Sequence, residues 1–416
     1  MRETRGKMQL DSIFFGNTFL DREFELSGTR EHDLKLLLEE VSDRTSYQFV
    51  DPDDLVFISI VKVCTVDRGD YKGEKGFIVL RFMPNEANIN LFLPQNLSQL
   101  HFEQKRGNYG LLPFRYLKER YGMTDSQIRE VRDIGFLFSY DNGEGEDIYI
   151  PSHYFLPSLC RTVCGISSLD AGIDPIRDIY VAHLLQCQDP FLMVSRRGST
   201  VCRAFGCFSG NFTQARQTVA FGFKRELENT FRVAVRQWRF THPETTIDFV
   251  FSGEQRMVGG TRVGCGARLT LSDTGDSSYI LQNCLYLNGG TVLCDGLVKK
   301  RHTGELKVEA MVGEYLGKVY PKLQNHFEEL EQAASIPVGN FREALEQEVT
   351  SLKLDKVIGK KRFADYQKAY IAKSGNGETS RQQVLLEMLK IPGYLQDSCD
   401  SYIRERVSVF PSGIFQ

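Results

Sequence analysis

The sequence predicts an α+β fold in which an antiparallel sheet packs on helices and the C-terminal region is mostly helical. Two observations lead to this prediction: segments with a two-residue apolar period cluster in the middle of the chain, and segments with a 3.6-residue period dominate its end. A third is size, because 416 residues, of which 41% are apolar and 25% charged, can bury a sizeable core and more than one packed unit.

Residues 1–150 are predicted to form an N-terminal α+β region with a buried hairpin. EHDLKLLLEEVSD has helical apolar spacing, whereas DLVFISIVKVCTVD and GFIVLRFMP are apolar on both faces and flank the turn-rich RGDYKGEKG, which is typical of a hairpin inside a sheet. Helices are also predicted in GLLPFRYLKERYG and TDSQIREVRDIG. Thr124, three residues before Gln127, predicts a capping box at the start of the second.

Residues 151–303 are predicted to form a strand-rich core region. In RVGCGARLTL the apolar positions alternate with a free face that carries Arg262 and Arg268. The same alternation in FRVAVRQWRF places Arg232, Arg236 and Trp238 on one face. One antiparallel sheet is therefore expected from segments near 189–209, 231–240, 246–252, 262–271 and 278–287.

Residues 304–416 are predicted to form a helical C-terminal region, mostly a separate layer from about residue 305. Apolar residues recur at steps of three and four from Val308 to Leu330, and Pro321 is expected to kink this helix. Further helices are predicted in NFREALEQEVTSLKL, KRFADYQKAYIAK and SRQQVLLEMLK, with SGNGET as a loop before the last.

The overall charge balance gives no sign of a nucleic-acid partner. The formal net charge is −3, so nucleic-acid binding would have to rest on a local basic patch. The start of the chain lacks an apolar run of signal-peptide length, and no stretch has the roughly 18 apolar residues of a membrane helix. A cytoplasmic protein without membrane contact is expected.

The ten cysteines predict neither disulfides nor a metal site. They are spread over a long chain without a CxxC pair, and no histidine stands at zinc-ligand spacing from them. Cys64, Cys265 and Cys284 are expected to be buried and unpaired, since each lies in an apolar strand pattern. The acidic DNGEGED at 141–147 lacks the twelfth-position glutamate of an EF-hand loop, which favours an exposed turn.

No catalytic motif and no cofactor site can be identified. GEYLGK at 313–318 has one residue too few for a phosphate loop and lies in a helical pattern, and GCGARL lacks the third glycine of a dinucleotide fingerprint. HExxH and GxSxG are absent, and His183 lies in an apolar helical pattern typical of core histidines. The sequence therefore favours a protein that is not an enzyme.

The basic and aromatic positions are the remaining candidates for function. Arginines on a strand can pair with phosphates, and an exposed tryptophan can stack on an unpaired base. The alternative is structural, because a lone tryptophan is usually core and neighbouring arginines often cover it and meet carboxylates. Likewise, KKRH at 299–302 and SRRG at 195–198 could anchor phosphates, although charge runs are most often solvated.

Three ordered segments resemble landmarks of a phage and plasmid protein family called domain of unknown function 932. They are TVCRAFGCFSGNF at 200–212, ARLTLSDTGDSSYILQNCLYLNGG at 267–290 and RHTGEL at 301–306, and the resemblance covers roughly residues 150–335. GCFSGNF and SDTGDSS depart from the forms usual in the family. The matching positions are Arg203, Ser209, Ser272, Thr274, Gly275, Asn288, Gly289, His302 and Thr303.

The resemblance implies a setting in mobile elements but no established activity. Two functions of different classes follow from the whole sequence. The first is a non-enzymatic nucleic-acid-binding protein of a phage or mobile element, a homo-oligomer that holds or anneals single-stranded DNA. Its candidate binding residues are Arg203, Arg232, Arg236, Trp238, Arg262, Arg268, Lys299, Lys300, Arg301 and His302.

The alternative is a structural or interaction protein, either an assembly component or an inhibitor of a host defence. The same arginines and tryptophan would then serve a protein interface. A phosphate binder loses affinity steeply with salt, whereas an apolar interface does not. A third, weaker reading is a nuclease or transferase with unrecognised carboxylates, which added divalent metal would reveal.

Overall fold

The structure is a computed structural model. The structure describes residues 16–67, 69–82, 109–141, 146–163, 189–372, 375, 377–395, 401–409 and 411. Of the described residues, 42% are in helices and 35% in strands, and with largely antiparallel sheets and a helical C-terminal region the fold is α+β, as predicted. Within the described ranges, no helix has both the length and the apolar character needed to cross a membrane.

The N-terminal region alternates strands and short helices. The predicted helix at EHDLKLLLEEVSD and the two helices after residue 113 are present. The elements are β1 (Glu25–Gly28), α1 (Glu31–Arg44), β2 (Thr45–Val50), β3 (Leu55–Thr65), β4 (Lys75–Phe82), β5 (Tyr109–Pro113), α2 (Phe114–Tyr121), α3 (Asp125–Ile134), β6 (Phe136–Asp141), β7 (Glu146–Pro151) and α4 (Phe155–Val163), with 3-10 turns at Asn17–Leu20 and Pro52–Asp54.

The middle region consists mainly of strands. A 3-10 turn at Gln217–Val219 leads into the helix at Ala220–Glu228. The elements are β8 (Phe191–Arg197), β9 (Cys202–Phe208), α5 (Ala220–Glu228), β10 (Val233–Thr241), β11 (Thr245–Phe251), β12 (Arg256–Val258), β13 (Thr261–Leu271), β14 (Tyr279–Leu287) and β15 (Gly290–Lys300).

The described part of the C-terminal region is helical apart from a two-residue strand pair. Two π-helical segments, Tyr315–Val319 and Gln367–Ile371, interrupt the α-helices, and a 3-10 turn spans Ala333–Ser335. The elements are α6 (Val308–Glu314), α7 (Tyr320–Gln332), β16 (Pro337–Val338), α8 (Phe341–Ser351), α9 (Leu354–Ile358), α10 (Lys360–Tyr366), β17 (Thr379–Ser380), α11 (Arg381–Leu389), α12 (Ile391–Leu395) and α13 (Ser401–Val409).

The first sheet has eight strands in the order β2-β8-β9-β7-β6-β3-β4-β5. The predicted hairpin is confirmed, because β3 and β4 pair antiparallel inside this sheet. The expectation that 189–209 joins the later strands is wrong: β8 pairs with β2, and β9 pairs in parallel with β7. Six of the seven residues in each of β8 and β9 are buried, and such apolar strands do not reveal from sequence which sheet they join.

The second sheet has the order β1-β10-β11-β13-β14-β15, with β12 paired to β13. All pairings in it are antiparallel. Residues 262–271 form the predicted strand, and Cys265, Ala267 and Leu269 face the main core. Strand β1 comes from the N-terminal region, so the pairing crosses the predicted boundary at residue 150.

Helix α3 begins at the predicted capping box. The Thr124 hydroxyl accepts the Gln127 N–H at 3.1 Å, and the Gln127 side chain accepts the Thr124 N–H at 3.1 Å. Two of the unpaired donors at the helix start are satisfied in this way. Gln127 also donates to the Asn17 carbonyl at 2.6 Å, which fixes the 3-10 turn against the helix.

The first C-terminal helices share the core of the second sheet. The apolar positions of α6 and α7 belong to the main core, whereas a separate apolar cluster begins only with α8. Pro321 stands in the first turn of α7, directly after a π segment, where a proline removes no intrahelical hydrogen bond of α7. The buried Asn283 donates to the Val319 carbonyl at 2.7 Å and accepts the Tyr315 hydroxyl at 2.9 Å, which ties this widened turn to β14.

The cysteine expectations hold for two of the three residues. Cys265 and Cys284 are buried and free, whereas Cys64 is free but half-exposed. Its burial was wrongly predicted because the solvent-side end of β3 keeps the apolar pattern of its buried start. Burial raises the pKa of the Cys265 thiol to about 12, so this group stays protonated and unreactive.

Candidate functional site

Trp238 is a core residue, and the prediction of a shared exposed face with Arg232 and Arg236 is wrong. A register shift between Val235 and Gln237 opposite β11 reverses the alternation within β10. The indole is 4% exposed and donates to the Arg30 carbonyl at 3.1 Å. No base can stack on it in this fold.

Arg268 is also buried, although its face was predicted to be free. Its guanidinium bonds both carboxylate oxygens of Asp248, at 2.6 and 3.0 Å. Burial raises the pKa of Asp248, but Arg268 and hydrogen bonds from Thr291 and Gln237 outweigh this and leave the pKa below its usual value. Arg268 and Asp248 therefore form an internal ion pair, in which each charge neutralises the other.

Two more predicted binding arginines have internal partners. Arg203 is 2% exposed, pairs with Glu130 at 2.9 Å through one of its nitrogens and donates to the Leu20 carbonyl at 2.6 Å. It therefore joins β9 to α3 and to the 3-10 turn at Asn17–Leu20. The half-buried Arg236 lies over the Tyr286 ring, 4.8 Å from its centroid.

The five remaining predicted cations are exposed but form two groups. Thr270 pairs with Ile280, which pairs with Lys299, so Lys299, Lys300 and Arg301 lie at the Thr270 end of β13. Arg262 lies at the other end of β13, eight residues or about 26 Å away at the usual strand rise. Arg232 lies at that second end, because its carbonyl accepts the N–H that follows β11. The ten positions thus form no single patch.

The three segments that carry the family resemblance converge at the Lys299 end. Phe212 forms a β-bridge with Thr303, and the Thr213 N–H donates to the His302 carbonyl at 3.0 Å. The His302 ring stacks on Phe212 at 5.1 Å, and its Nε2 donates to the Ser277 carbonyl at 2.6 Å. His302 is thus 9% exposed and holds loops together.

Gly275 closes this junction and allows a test of it. Its φ is +82°, and a Cβ there would lie 2.5 Å from the Phe208 ring and 3.0 Å from Phe212. Gly275→Ala is expected to lower the unfolding free energy by about 2–4 kcal/mol, from backbone strain and overpacking together. Urea unfolding measures this loss. Gly289→Ala is the control, with φ +80° and open space, and an equal loss in both would contradict the packing argument.

An open cleft of ≈ 930 Å³ lies between the converging loops. Phe49 lies beside it, 58% exposed, with its ring 3.7 Å from where a Cβ of Gly210 would stand. The walls combine backbone groups, small polar side chains and a few apolar ones. The lining residues are Gly210, Asn211, Phe212, Thr213, Gln214, Ala215, Val219, Thr303, Gly304, Glu305 and Leu306.

Three cations adjoin the lining segments of the cleft in the chain, and two of them have acidic neighbours, since Arg216 lies 3.9 Å from Asp43 and Lys307 lies 3.5 Å from Glu305. Arg301 stands two residues before the lining Thr303, Arg216 directly follows the lining loop and is 72% exposed, and Lys307 follows Leu306 and is 67% exposed. Among the described residues that line the cleft, Glu305 is the only charged one. Phe49, Arg216 and Lys307 were missed from sequence because they come from a strand and two loops that are distant in the chain, and loops have no periodic pattern.

A buried charge network lies behind the loops and joins the two sheets. Arg196 and Asp273 form an ion pair at 0% and 1% exposure, so the SRRG run is not simply solvated. Asp273 also accepts from Thr45 at 3.0 Å and from Gln217 at 2.8 Å. His242 Nδ1 accepts from Arg196 at 2.9 Å, while its Nε2 donates to a backbone carbonyl. The network sets the position of the turn that contains Gly275.

His242 makes stability depend on pH. Burial, together with Arg196 and Arg203, holds the pKa of His242 well below its ordinary value. As the pH falls below about 6.5, the unfolded chain takes up this proton first, so the unfolding free energy should fall by about 1.4 kcal/mol per pH unit. In urea unfolding at pH 7.5, 6.5 and 5.5, the unfolding free energy of His242→Asn should change less with pH than that of the parent. His32→Asn, at an exposed histidine, is the control. An equal pH dependence of His242→Asn and the parent would contradict this role.

In the described part of the chain, no group of three or more histidine, cysteine, aspartate or glutamate side chains could hold a metal ion.

Comparison with known proteins leaves the family open. The resemblance to domain of unknown function 932 stays a prediction based on short segments. No family model matches the sequence, and neither a curated protein nor a solved structure matches it significantly.

Proposed function

We propose that this protein binds single-stranded nucleic acid at the cleft without acting on it as an enzyme. The observation that carries this proposal is an open cleft at one end of the second sheet, with cations next to its lining segments and the exposed Phe49 ring of the first sheet beside it. Proteins that bind single strands combine a cationic groove for the backbone with aromatic side chains for the bases.

Phosphates are the proposed partners of the cations. Lys299, Lys300 and Arg301 are consecutive and exposed, and Arg216 and Lys307 lie on the other cleft segments. Each phosphate neutralised by such a side chain releases counterions, so the affinity should fall as salt rises. The net charge of −3 does not oppose this, because the field acts locally around the cleft.

Phe49 takes the stacking role that the sequence suggested for Trp238. An exposed ring offers a π-face to an unpaired base, and such stacking is worth about 1–3 kcal/mol per base. Paired bases in a duplex are already stacked, which favours single strands. A setting in a phage or mobile element, a cytoplasmic location and a homo-oligomer are parts of the same proposal.

The test removes positive charge at one end of the second sheet and compares the effect on binding with that of removing positive charge at the other end. A Lys299→Ala, Lys300→Ala, Arg301→Ala variant should weaken binding of a single-stranded oligonucleotide and flatten its salt slope by about two units, at roughly 0.7 per phosphate. Arg232→Ala with Arg262→Ala is the matched control at the far end. Fluorescence anisotropy at several salt concentrations measures both, and equal effects at the two ends would remove the cleft as the site.

Stacking is tested separately from charge. Phe49→Ala should reduce affinity for a single strand by roughly 5- to 150-fold and leave the salt slope unchanged. Met257→Ala, which is also highly exposed but lies in β12 near the far end, is the control. If the parent binds neither single nor double strands at low salt, the proposal fails and the interaction-protein alternative takes its place.

A further inference from the structure

We infer that β2 is a dimerisation edge, at which a second copy of this chain adds its own β2 antiparallel to the first sheet. Strand β2 is the outer strand of that sheet and pairs with β8. In the residues the structure describes, the backbone of 46–50 has no other hydrogen-bonding strand or turn. Such an edge presents a row of unpaired N–H and C=O groups to another chain.

The composition of β2 distinguishes it from the other sheet edges. Edge strands are usually protected by charge, proline, shortness or a covering element. β5 ends in Pro113, β15 carries Lys299 and Lys300 and is packed by α12 and α13, and β1 has only four residues. By contrast, β2 reads TSYQFV, with no charge, proline or glycine. Within the described ranges, β2 has none of the features that usually protect an edge strand.

Strand β2 is also held rigidly in its extended form. Thr45 donates to the Asp273 carboxylate at 3.0 Å, and the Tyr47 hydroxyl donates toward the carbonyls of Asp273 and Ala215 at 3.1 and 3.2 Å. The buried charge network therefore fixes the edge before any partner arrives. A preorganised edge loses little conformational freedom on pairing, which favours association.

Self-pairing fits the order of the side chains. Two-fold symmetry requires that one residue face its own copy, and Gln48 at the axis makes Tyr47 face the partner's Phe49 in both halves. Cross-strand aromatic pairs stabilise antiparallel strands, and no like charges face each other in this register. The 58% exposed Phe49 gains an aromatic neighbour. An unrelated peptide would have no reason to supply this reciprocal match, so the occupant is a second copy.

A charge exchange at Gln48 tests the register. At about 100 µM, light scattering after gel filtration should give the parent twice the 47.5 kDa mass of one chain. Gln48→Lys and Gln48→Glu should each be monomeric, because two like charges would meet at the axis. An equimolar mixture of the two should regain the doubled mass, since lysine then faces glutamate. Leu111→Lys in the opposite edge strand β5, at a 43% exposed position, should leave the dimer intact.

The masses of the parent and of the Gln48 variants each support or overturn the proposed β2 dimer. A monomeric parent at this concentration overturns the inference, as does a Gln48→Lys protein that remains dimeric. Monomeric variants that fail to combine overturn the register with Gln48 at the axis. Circular dichroism of the Gln48 and Leu111 variants checks that substitution at these partly exposed positions leaves the fold intact. The measurement uses no nucleic acid, so dimer formation is tested separately from the binding of single strands.

Discussion

Asp273→Ala is expected to lower the free energy of unfolding by about 3–5 kcal/mol, since it leaves a buried guanidinium without its partner. Arg196 is fully buried and pairs with Asp273. The substitution also removes the acceptor of the Gln217 side chain and one of the two acceptors of the Thr45 hydroxyl. Urea unfolding at pH 7.5, followed by circular dichroism, measures this loss.

Two comparisons give the Asp273 result its meaning. Asp133→Ala removes an exposed ion pair with Arg132 and should change stability by less than about 1 kcal/mol. Arg196→Met combined with Asp273→Leu should recover much of the loss, because no unpaired charge then remains buried. A loss below 1 kcal/mol for Asp273→Ala would show that the network is not a buried, tightly coupled unit.

Trp238→Ala is expected to cost about 3–5 kcal/mol, the usual range for removing a buried tryptophan. The indole packs closely on β1, where a Cβ on Gly28 would lie 2.6 Å from the ring. The substitution also leaves the Arg30 carbonyl without its 3.1 Å hydrogen bond. Thermal unfolding followed by circular dichroism measures the loss of stability.

Phe49→Ala is the matched aromatic control for Trp238. Its ring is largely exposed, so truncation should change the stability of the monomer by no more than about 0.5 kcal/mol. The pair therefore separates a core aromatic from a surface aromatic. If Trp238→Ala were as mild as Phe49→Ala, the indole would not be buried, and the original expectation of a stacking surface around Trp238 would return.

Local features of the fold were predictable because short-range patterns determine them. The hairpin of β3 and β4, the strand at 262–271 and the capping box at Thr124 each depend on residues close in sequence. Such patterns predict a helix or a strand but not the element with which it pairs. The assignment of β8 and β9 to the wrong sheet shows this limit, since the decisive contacts come from β2 and β7.

The candidate site was less predictable for two physical reasons. A single bulge at Arg236 reverses the alternation of β10, and no residue type marks it in the sequence. Pairing of buried charges was the second obstacle, because Arg203 and Arg268 meet carboxylates 73 and 20 residues away. Lys299, Lys300 and Arg301 were placed correctly as exposed because a run of three cations is rarely buried.

The π segment at Tyr315–Val319 determines how α7 faces the sheet. Met311, Tyr315, Val319, Leu323 and Phe327 are buried at a strict four-residue interval. In a regular α-helix each residue turns the chain by 100°, so every such interval would carry the apolar face 40° further around the axis. Four intervals would turn Phe327 by about 160° from Met311, away from the sheet. The π segment has more residues per turn and so reverses part of this rotation. The buried faces of α6 and α7 therefore pack on the same core.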